Sequence, residues 1–249
     1  MATIKNVAQY IHELLDVDAF KDYAPNGLQV QGKEKLKKIV MGVSATQAFI
    51  EAAIEKEADA ILVHHGWFWD KEDPRIIGMK HKRLKLLMEH DINLLAYHLP
   101  LDAHPELGNN AQLAKVLDIH MEDVMDGQGV GNYGRLEEYM SLEELGQSIE
   151  KKLGRKPMLI NAGDHAIRRV AWCTGGAQGY IDKAAKAGVD AYISGEISEH
   201  TTHTARENGV HYIAAGHHAT ERYGVQALGE HVAAKFGLLY EFVDIDNPA

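Results

Sequence analysis

The chain has one cysteine, Cys173, in 249 residues. A lone thiol excludes an internal disulfide framework and points to a reducing compartment, the cytoplasm. It also excludes a metal site built from thiolates, and Cys173 itself lies in an apolar run that reads as core. No apolar run approaches the roughly 18 residues that would span a bilayer. The first fifteen residues have helical periodicity but lack the apolar core and cleavage site of a secretory signal. No glycine-rich stretch ends in Gly-Lys-Ser or Gly-Lys-Thr, so Gly127-Gln128-Gly129-Val130-Gly131 reads as a connector and not as a phosphate loop. Positive charge is in deficit: 26 basic residues against 36 acidic give a net charge of -10. That balance disfavours broad coating of nucleic acid or of an anionic membrane. Basic and aromatic residues also do not alternate, as they would in a surface that follows a nucleic-acid strand.

Histidine, by contrast, is abundant, with 15 in the chain, many of them in short clusters. Their setting is an α/β pattern. Residues 38–43, 60–63 and 92–97 are short, mainly apolar runs, the first of them rich in β-branched residues. Such runs are expected of parallel strands covered on both faces. Helical periodicity separates them over 46–56, 80–90 and 109–117. Residues 22–30 read as irregular, with Pro25 and the turn pair Asn26-Gly27. The rhythm breaks over 118–134. Ser141 and Glu144 then form a capping box that opens a helix. Strands are expected at 169–173, 189–193, 210–215 and 240–245, and helices at 177–187 and 220–236.

The two halves resemble each other. Gln47-Ala48-Phe49-Ile50-Glu51 aligns with Gln178-Gly179-Tyr180-Ile181-Asp182, and the same alignment sets Asp59-Ala60 over Asp190-Ala191. A second, slightly shorter spacing sets His98 over His217 and Asp102 over Glu221. The expectation is an internal duplication giving two similar α/β units, 1–128 and 129–249. Strand ends of the two units would face a common cleft, and the C-terminal part would return to the first unit.

Three stretches carry the chemistry. His64-His65-Gly66 follows a buried strand, where open α/β sheets bind ligands. Adjacent strand residues point to opposite faces, so this pair suits two metals better than one. His98-Leu99-Pro100-Leu101-Asp102-Ala103-His104 follows the next strand and supplies a hard oxygen, Asp102, among imidazoles. His217-His218-Ala219-Thr220-Glu221 follows a strand of the second half, and His217 and Glu221 lie one helical turn apart. Imidazole and carboxylate together suit Zn, Fe, Mn, Co or Ni. A bridging carboxylate would hold two such ions roughly 3.5–4 Å apart.

These stretches, with Asp22-Tyr23-Ala24-Pro25-Asn26-Gly27-Leu28-Gln29-Val30 and Gly195-Glu196-Ile197-Ser198-Glu199, resemble the dinuclear-metal family named for the yeast NGG-interacting factor. Its members are also called type-two GTP cyclohydrolase I homologues, and the likeness is to the short gamma-proteobacterial ones without an inserted domain. The resemblance spans nearly the whole chain. It implies two three-layer α/β/α units with two divalent ions in the cleft between them. His64 and Asp102 would hold one ion, His65 and His217 the other, and Glu221 would bridge. His98, Glu196 and His218 would move protons. The family also implies a homo-oligomer, a hexameric ring, and a link to DNA damage.

The expected activity is metal-assisted hydrolysis of a nucleotide or related compound. The competing readings are cleavage of a phosphodiester, damaged nucleotide or single-stranded nucleic acid, and a non-catalytic metal-binding role. Lys80, Lys82, Arg83 and Lys85 are the candidate triphosphate contacts, against a plain solvated helix face. Trp67, Phe68 and Trp69 either stack on a base or pack a loop. Thr174-Gly175-Gly176 could form a backbone turn for an anion.

Overall fold

The computed structural model describes residues 2–249. The chain begins with α1 (Ile4–Leu14), β1 (Gly27–Val30), β2 (Lys38–Ser44), α2 (Gln47–Glu55) and β3 (Ala60–His65). It continues through α3 (Gly78–Glu89), β4 (Asn93–Ala96), α4 (Leu99–Ala103) and α5 (Asn109–Leu117). Next come β5 (His120–Val124), β6 (Asn132–Met140), α6 (Leu142–Leu153), β7 (Met158–Ile160) and β8 (Ile167–Cys173). Then follow α7 (Ile181–Lys186), β9 (Ala191–Ser194), α8 (Glu199–Asn208), β10 (His211–Ala214), α9 (His217–Phe236) and β11 (Leu239–Phe242). These elements make two compact units. One runs through Leu101 and takes up Val225–Asp246; the other is Asp102–Gly224 with Asn247–Ala249. The chain therefore changes unit inside α4 and again inside α9, whereas the sequence reading divides it after residue 128.

In the first unit five strands run in the order β1-β4-β3-β2-β11. All neighbours are parallel except β1, which pairs antiparallel with β4 at the edge. One face of the sheet, carrying Val40, Ile61, Val63 and Leu94, packs on Phe49 and Ala53 of α2 and Leu84 and Leu87 of α3. On the other face Gly229 of α9 lies against the Met41 side chain, and Tyr97 donates its hydroxyl to Ala8 of α1. Both faces are thus covered, which is why β2 and β3 read as unbroken apolar runs. Thr3 and Thr46 start α1 and α2 by accepting from the Asn6 and Phe49 N–H groups, as short hydroxyl side chains do at a helix start.

The second unit has six strands in the order β5-β6-β8-β9-β10-β7. The central β8, β9 and β10 are parallel, and the outer strands are antiparallel to their neighbours. Val170, Trp172 and Ile193 pack on α5 and α6 through Leu113, Leu117, Leu145 and Ile149. The opposite face carries Tyr192, whose hydroxyl donates to Ala177 O just before α7 (2.7 Å). The capping box at Ser141 is made in both directions.

The two units repeat one another in register. Ile39 pairs with Ala60 in the first and Val170 with Ala191 in the second. The aligned aspartates play the same part. Asp59 accepts from the Lys37 and Lys38 N–H groups (2.8 and 3.1 Å), and Asp190 from those of Arg168 and Arg169 (2.9 and 2.7 Å). Each tethers the start of the leading strand to the turn before the next. Farther on, the Tyr97 N–H donates to Val63 O and the Ala215 N–H to Ser194 O. The equivalent of His98 is therefore Gly216, and His217 sits one residue later. The shorter spacing seen in the sequence arises between β3 and β4, where the first unit has the longer connection through α3 and the second the shorter one through α8.

Several elements depart from the sequence reading. Residues 22–30 end in strand β1, whose edge position leaves Leu28 exposed and hides the apolar signal. The stretch read as a connector, residues 127–131, lies in the turn of the β5–β6 hairpin; β5 is exposed throughout and is held by backbone pairing to β6 with the Glu122–Arg135 ion pair beside it. Helix α8 has no counterpart in the sequence reading, because Glu199–Asn208 buries only Thr201 and Ala205. The helix expected over 177–187 is a 3-10 turn, Gln178–Tyr180, followed by the short α7. Among the described residues no helix is long and apolar enough to cross a membrane.

Candidate metal centre

In the first unit three imidazoles converge. His64 and His65 are the last residues of β3, and His98 follows β4. Adjacent strand residues would diverge, yet the rings of His64 and His65 are 4.5 Å apart. The strand ends at His65, and His65 Nδ1 meets Ser44 Oγ at 3.0 Å. The His98 ring lies 5.1 Å from His64 and 5.9 Å from His65. One nitrogen from each of the three falls within 4.8 Å of the others.

Hydrogen bonds fix how these rings are turned. His64 is fully buried, and its Nδ1 donates to Tyr97 O at 3.0 Å. A carbonyl can only accept, so Nδ1 carries the proton and Nε2 is the lone-pair nitrogen. That is the tautomer and support expected of a metal-ligating histidine. His98 Nδ1 lies 2.9 Å from the Asp22 carboxylate, and Asn26 Oδ1 accepts from the His98 N–H. Asp22 also accepts from the Leu99 N–H at 2.9 Å. Burial pushes the Asp22 carboxyl up, but the hydrogen bonds and charge of His98 and the bonds from Asn26 and Leu99 outweigh it. The result is a pKa of about 2. Tyr23 and Trp69 lie 5.7 Å apart, each with its ring centre 5.0 Å from that of His98.

In the second unit a buried carboxylate, Glu221, is the common neighbour. Asp102, in α4, places an oxygen within 4.8 Å of one on Glu221. His217 opens α9, and its Nε2 lies 3.2 Å from Glu221 Oε2 one turn along. On its other side His217 Nδ1 meets Glu196 Oε1 at 2.7 Å. Burial lowers the His217 pKa, but hydrogen bonds and charge, first from Glu221 and then from Glu196, raise it to about 9. Two carboxylates thus flank one imidazole and a third stands beside Glu221, an excess of negative charge of the kind a cation neutralises. His218 donates its backbone N–H to an Ala249 oxygen at 3.4 Å.

Asp102 is held from several sides. Its Oδ1 accepts from Asn109 Nδ2 (2.9 Å) and Thr174 Oγ1 (3.2 Å), and Asn110 donates to its carbonyl. Asn110 in turn accepts from Trp172 Nε1 and from the Thr174 N–H. Gly175, at φ +67°, closes this corner. A Cβ there would stand 2.0 Å from Glu221 Oε1 and 3.0 Å from His217 Nε2. Only a residue without a side chain leaves room between the two donors. Within the second unit, His217 paired with Glu221, in a cradle that a methyl group at Gly175 would fill, fits a first-row divalent ion.

Sequence reasoning misses the supports. It sees Asp22 only as part of a motif, although its bonds to the Tyr23 and Ala24 N–H groups make the local Asx turn that Asp favours. Thr174 and Gly175, read from sequence as an anion turn, instead position Asp102 and make room for Glu221. Ser44, Asn109 and Asn110 carry no sequence signal. Among the candidate triphosphate contacts, Lys80 is buried. It is tied to Glu72 (3.1 Å) and Asp73 O (2.9 Å), and Glu72 accepts from the Phe68 and Trp69 N–H groups. It braces the aromatic loop. Lys85 pairs with Glu89 on the helix surface. Trp67 is buried and donates to Ala45 O, so it packs the loop.

The model of the Duf34/NIF3 (NGG1p interacting factor 3) family matches residues 2–248. The chain belongs to this family. Relatives named GTP cyclohydrolase 1 type 2 homolog include one from Allochromatium vinosum, 54% identical, with 100% of this chain and 98% of the relative covered. Another, from Haemophilus influenzae, is 57% identical with 97% of each covered. Among solved structures, protein ybgI, of unknown function, is 52% identical with a TM-score of 0.97 and full coverage of both chains. TTHA1606 from Thermus thermophilus is 33% identical with a TM-score of 0.91, again over both whole chains. These two solved structures share the fold of this chain over its whole length.

Proposed function

We propose that this family member is a metal-dependent hydrolase acting on a nucleotide or a related compound, and that it works as a homo-oligomer in the cytoplasm. His64 and Asp102 would hold one divalent ion, His65 and His217 a second, with Glu221 between them. The observation that carries this reading is the complementarity of the two donor sets. One unit offers three imidazoles within 4.8 Å, and the other offers carboxylates gathered on Glu221. The set in the first unit is all imidazole and that in the second mostly carboxylate, and together they would make the mixed set that first-row ions take. When bound, such a pair supplies Lewis-acid charge and a water acidic enough to react near neutral pH.

The remaining residues handle protons and substrate. His98, turned by Asp22, presents its other nitrogen as a proton acceptor or donor. Glu196 takes the same role from beside His217, and His218 is the third candidate. Tyr23 and Trp69 flank His98 with aromatic surface suited to a planar base. The relatives' name suggests opening of the guanine ring of GTP with release of formate. The test offers metal-loaded protein GTP and a panel of nucleotides and short single-stranded oligonucleotides. Formate release marks ring opening, and phosphate or nucleotide release marks phosphohydrolysis. His98→Gln and Glu196→Gln are expected to lose turnover by roughly 100-fold or more while keeping their metal. Turnover unchanged in both variants would remove them from the mechanism, and no turnover by the loaded wild type would leave a metal-binding protein.

A further inference from the structure

The second unit contains a pocket of about 590 Å³ whose cationic wall has no part in the metal reading. Volumes of this size accommodate small organic ligands. Arg155 and Lys156 form that wall, and Pro157, Met158 and Ile197 add an apolar one. Arg155 follows Gly154, the left-handed residue that ends α6. Its guanidinium lies against Gly216, where an added Cβ would stand 2.0 Å from Nη1. That nitrogen is buried and has no hydrogen-bond partner among the described residues. Buried guanidinium nitrogens are costly to leave unpaired and are normally satisfied by an anion or a carbonyl. Lys156 is exposed beside it. The acid in the pocket, Glu196, is engaged at Oε1 by His217. An Ala249 oxygen on the wall accepts from the His218 N–H.

We infer that this pocket is a phosphate subsite. The phosphate chain of the substrate would lie on Arg155 and Lys156, with its other end toward Glu196 and His217. The inference rests on the hydrolase reading and narrows its substrate to a phosphorylated compound. Arginine and lysine suit this differently: the planar guanidinium binds phosphate oxygens two at a time, and the ammonium adds a point charge. The apolar wall would carry the ring or sugar edge.

The probe is tripolyphosphate, titrated calorimetrically into chelator-treated protein so that no phosphate binds through metal. Guanosine and GTP are titrated alongside. Saturable tripolyphosphate binding is expected, weakened roughly tenfold or more in Arg155→Gln and in Lys156→Gln. Lys156 is exposed, so its variant folds as the wild type does and keeps the test decisive even if Arg155→Gln is unstable. Metal content of both variants should match the wild type, which separates this site from the metal centre. Equal tripolyphosphate affinity in wild type and Lys156→Gln, or binding seen only after metal is restored, would overturn the subsite and leave the hydrolase reading standing. Guanosine binding as tight as GTP would also overturn it.

Discussion

Gly175→Ala is expected to fold and to lose its metal. The backbone at Gly175 is left-handed, at φ +67°, and an alanine there costs about 1 kcal/mol in strain. That cost is small beside the second effect. The new methyl carbon would stand 2.0 Å from Glu221 Oε1, far inside contact distance. The Glu221 carboxylate can swing aside, so the fold survives, but it is the group on which Asp102 and His217 converge. Displacing it would remove the proposed bridge. Metal affinity should fall by roughly 100-fold or more, beyond the 10–100-fold typical of changes behind a ligand. Gly209→Ala isolates the strain. Gly209 has φ +65° and nothing within 4 Å of an added Cβ. It should lose about the same stability and keep its metal. Normal metal content in Gly175→Ala, measured by elemental mass spectrometry, would mean that Glu221 is not a ligand.

Asp22→Ala is expected to be the most destabilising single change around the imidazoles. It would leave the Leu99 N–H, His98 Nδ1 and Asn26 Nδ2 without the acceptor they share. Stranding buried donors costs about 1–3 kcal/mol each, so a total of about 3 kcal/mol is expected at neutral pH, read from urea unfolding. The pH dependence follows from the carboxyl's low pKa. Folded Asp22 titrates at about 2 against an ordinary 3.8. Its contribution is therefore fully present above about pH 4 and is lost as the pH falls toward 2. The wild type should lose stability over that window, and the variant should show a shallower acid limb. Parallel acid limbs would show that Asp22 is not the group that holds His98.

Much of this is legible in the sequence because the signals are local. Apolar runs such as 60–63 show themselves when a strand is covered on both sides. Histidines at strand ends stand out against that background. Asp59 and Asp190 betray the duplication because each must satisfy two backbone N–H groups at the same place in its unit. The illegible parts depend on pairing or on distant neighbours. Strand β5 exists through its pairing with β6, with no buried side chain of its own, and α8 buries two residues in ten. The His65 ring is turned by Ser44, a neighbour on another strand, and no periodicity reveals that. Lys80 reads as a solvated cation or a candidate phosphate contact because sequence shows charge and not burial. Asp22, Thr174 and Gly175 shape the site by what they hold or leave open, and their residue types are common in ordinary turns.

The most direct test of the central claim is the metal content per protomer of untagged protein, before and after reconstitution with Zn, Fe, Mn, Co or Ni, for wild type and Glu221→Ala. About two ions per wild-type protomer, falling to one or fewer in the variant, is the predicted result. Background metal in the reconstituted wild type, or two ions in both proteins, would contradict a centre bridged by Glu221.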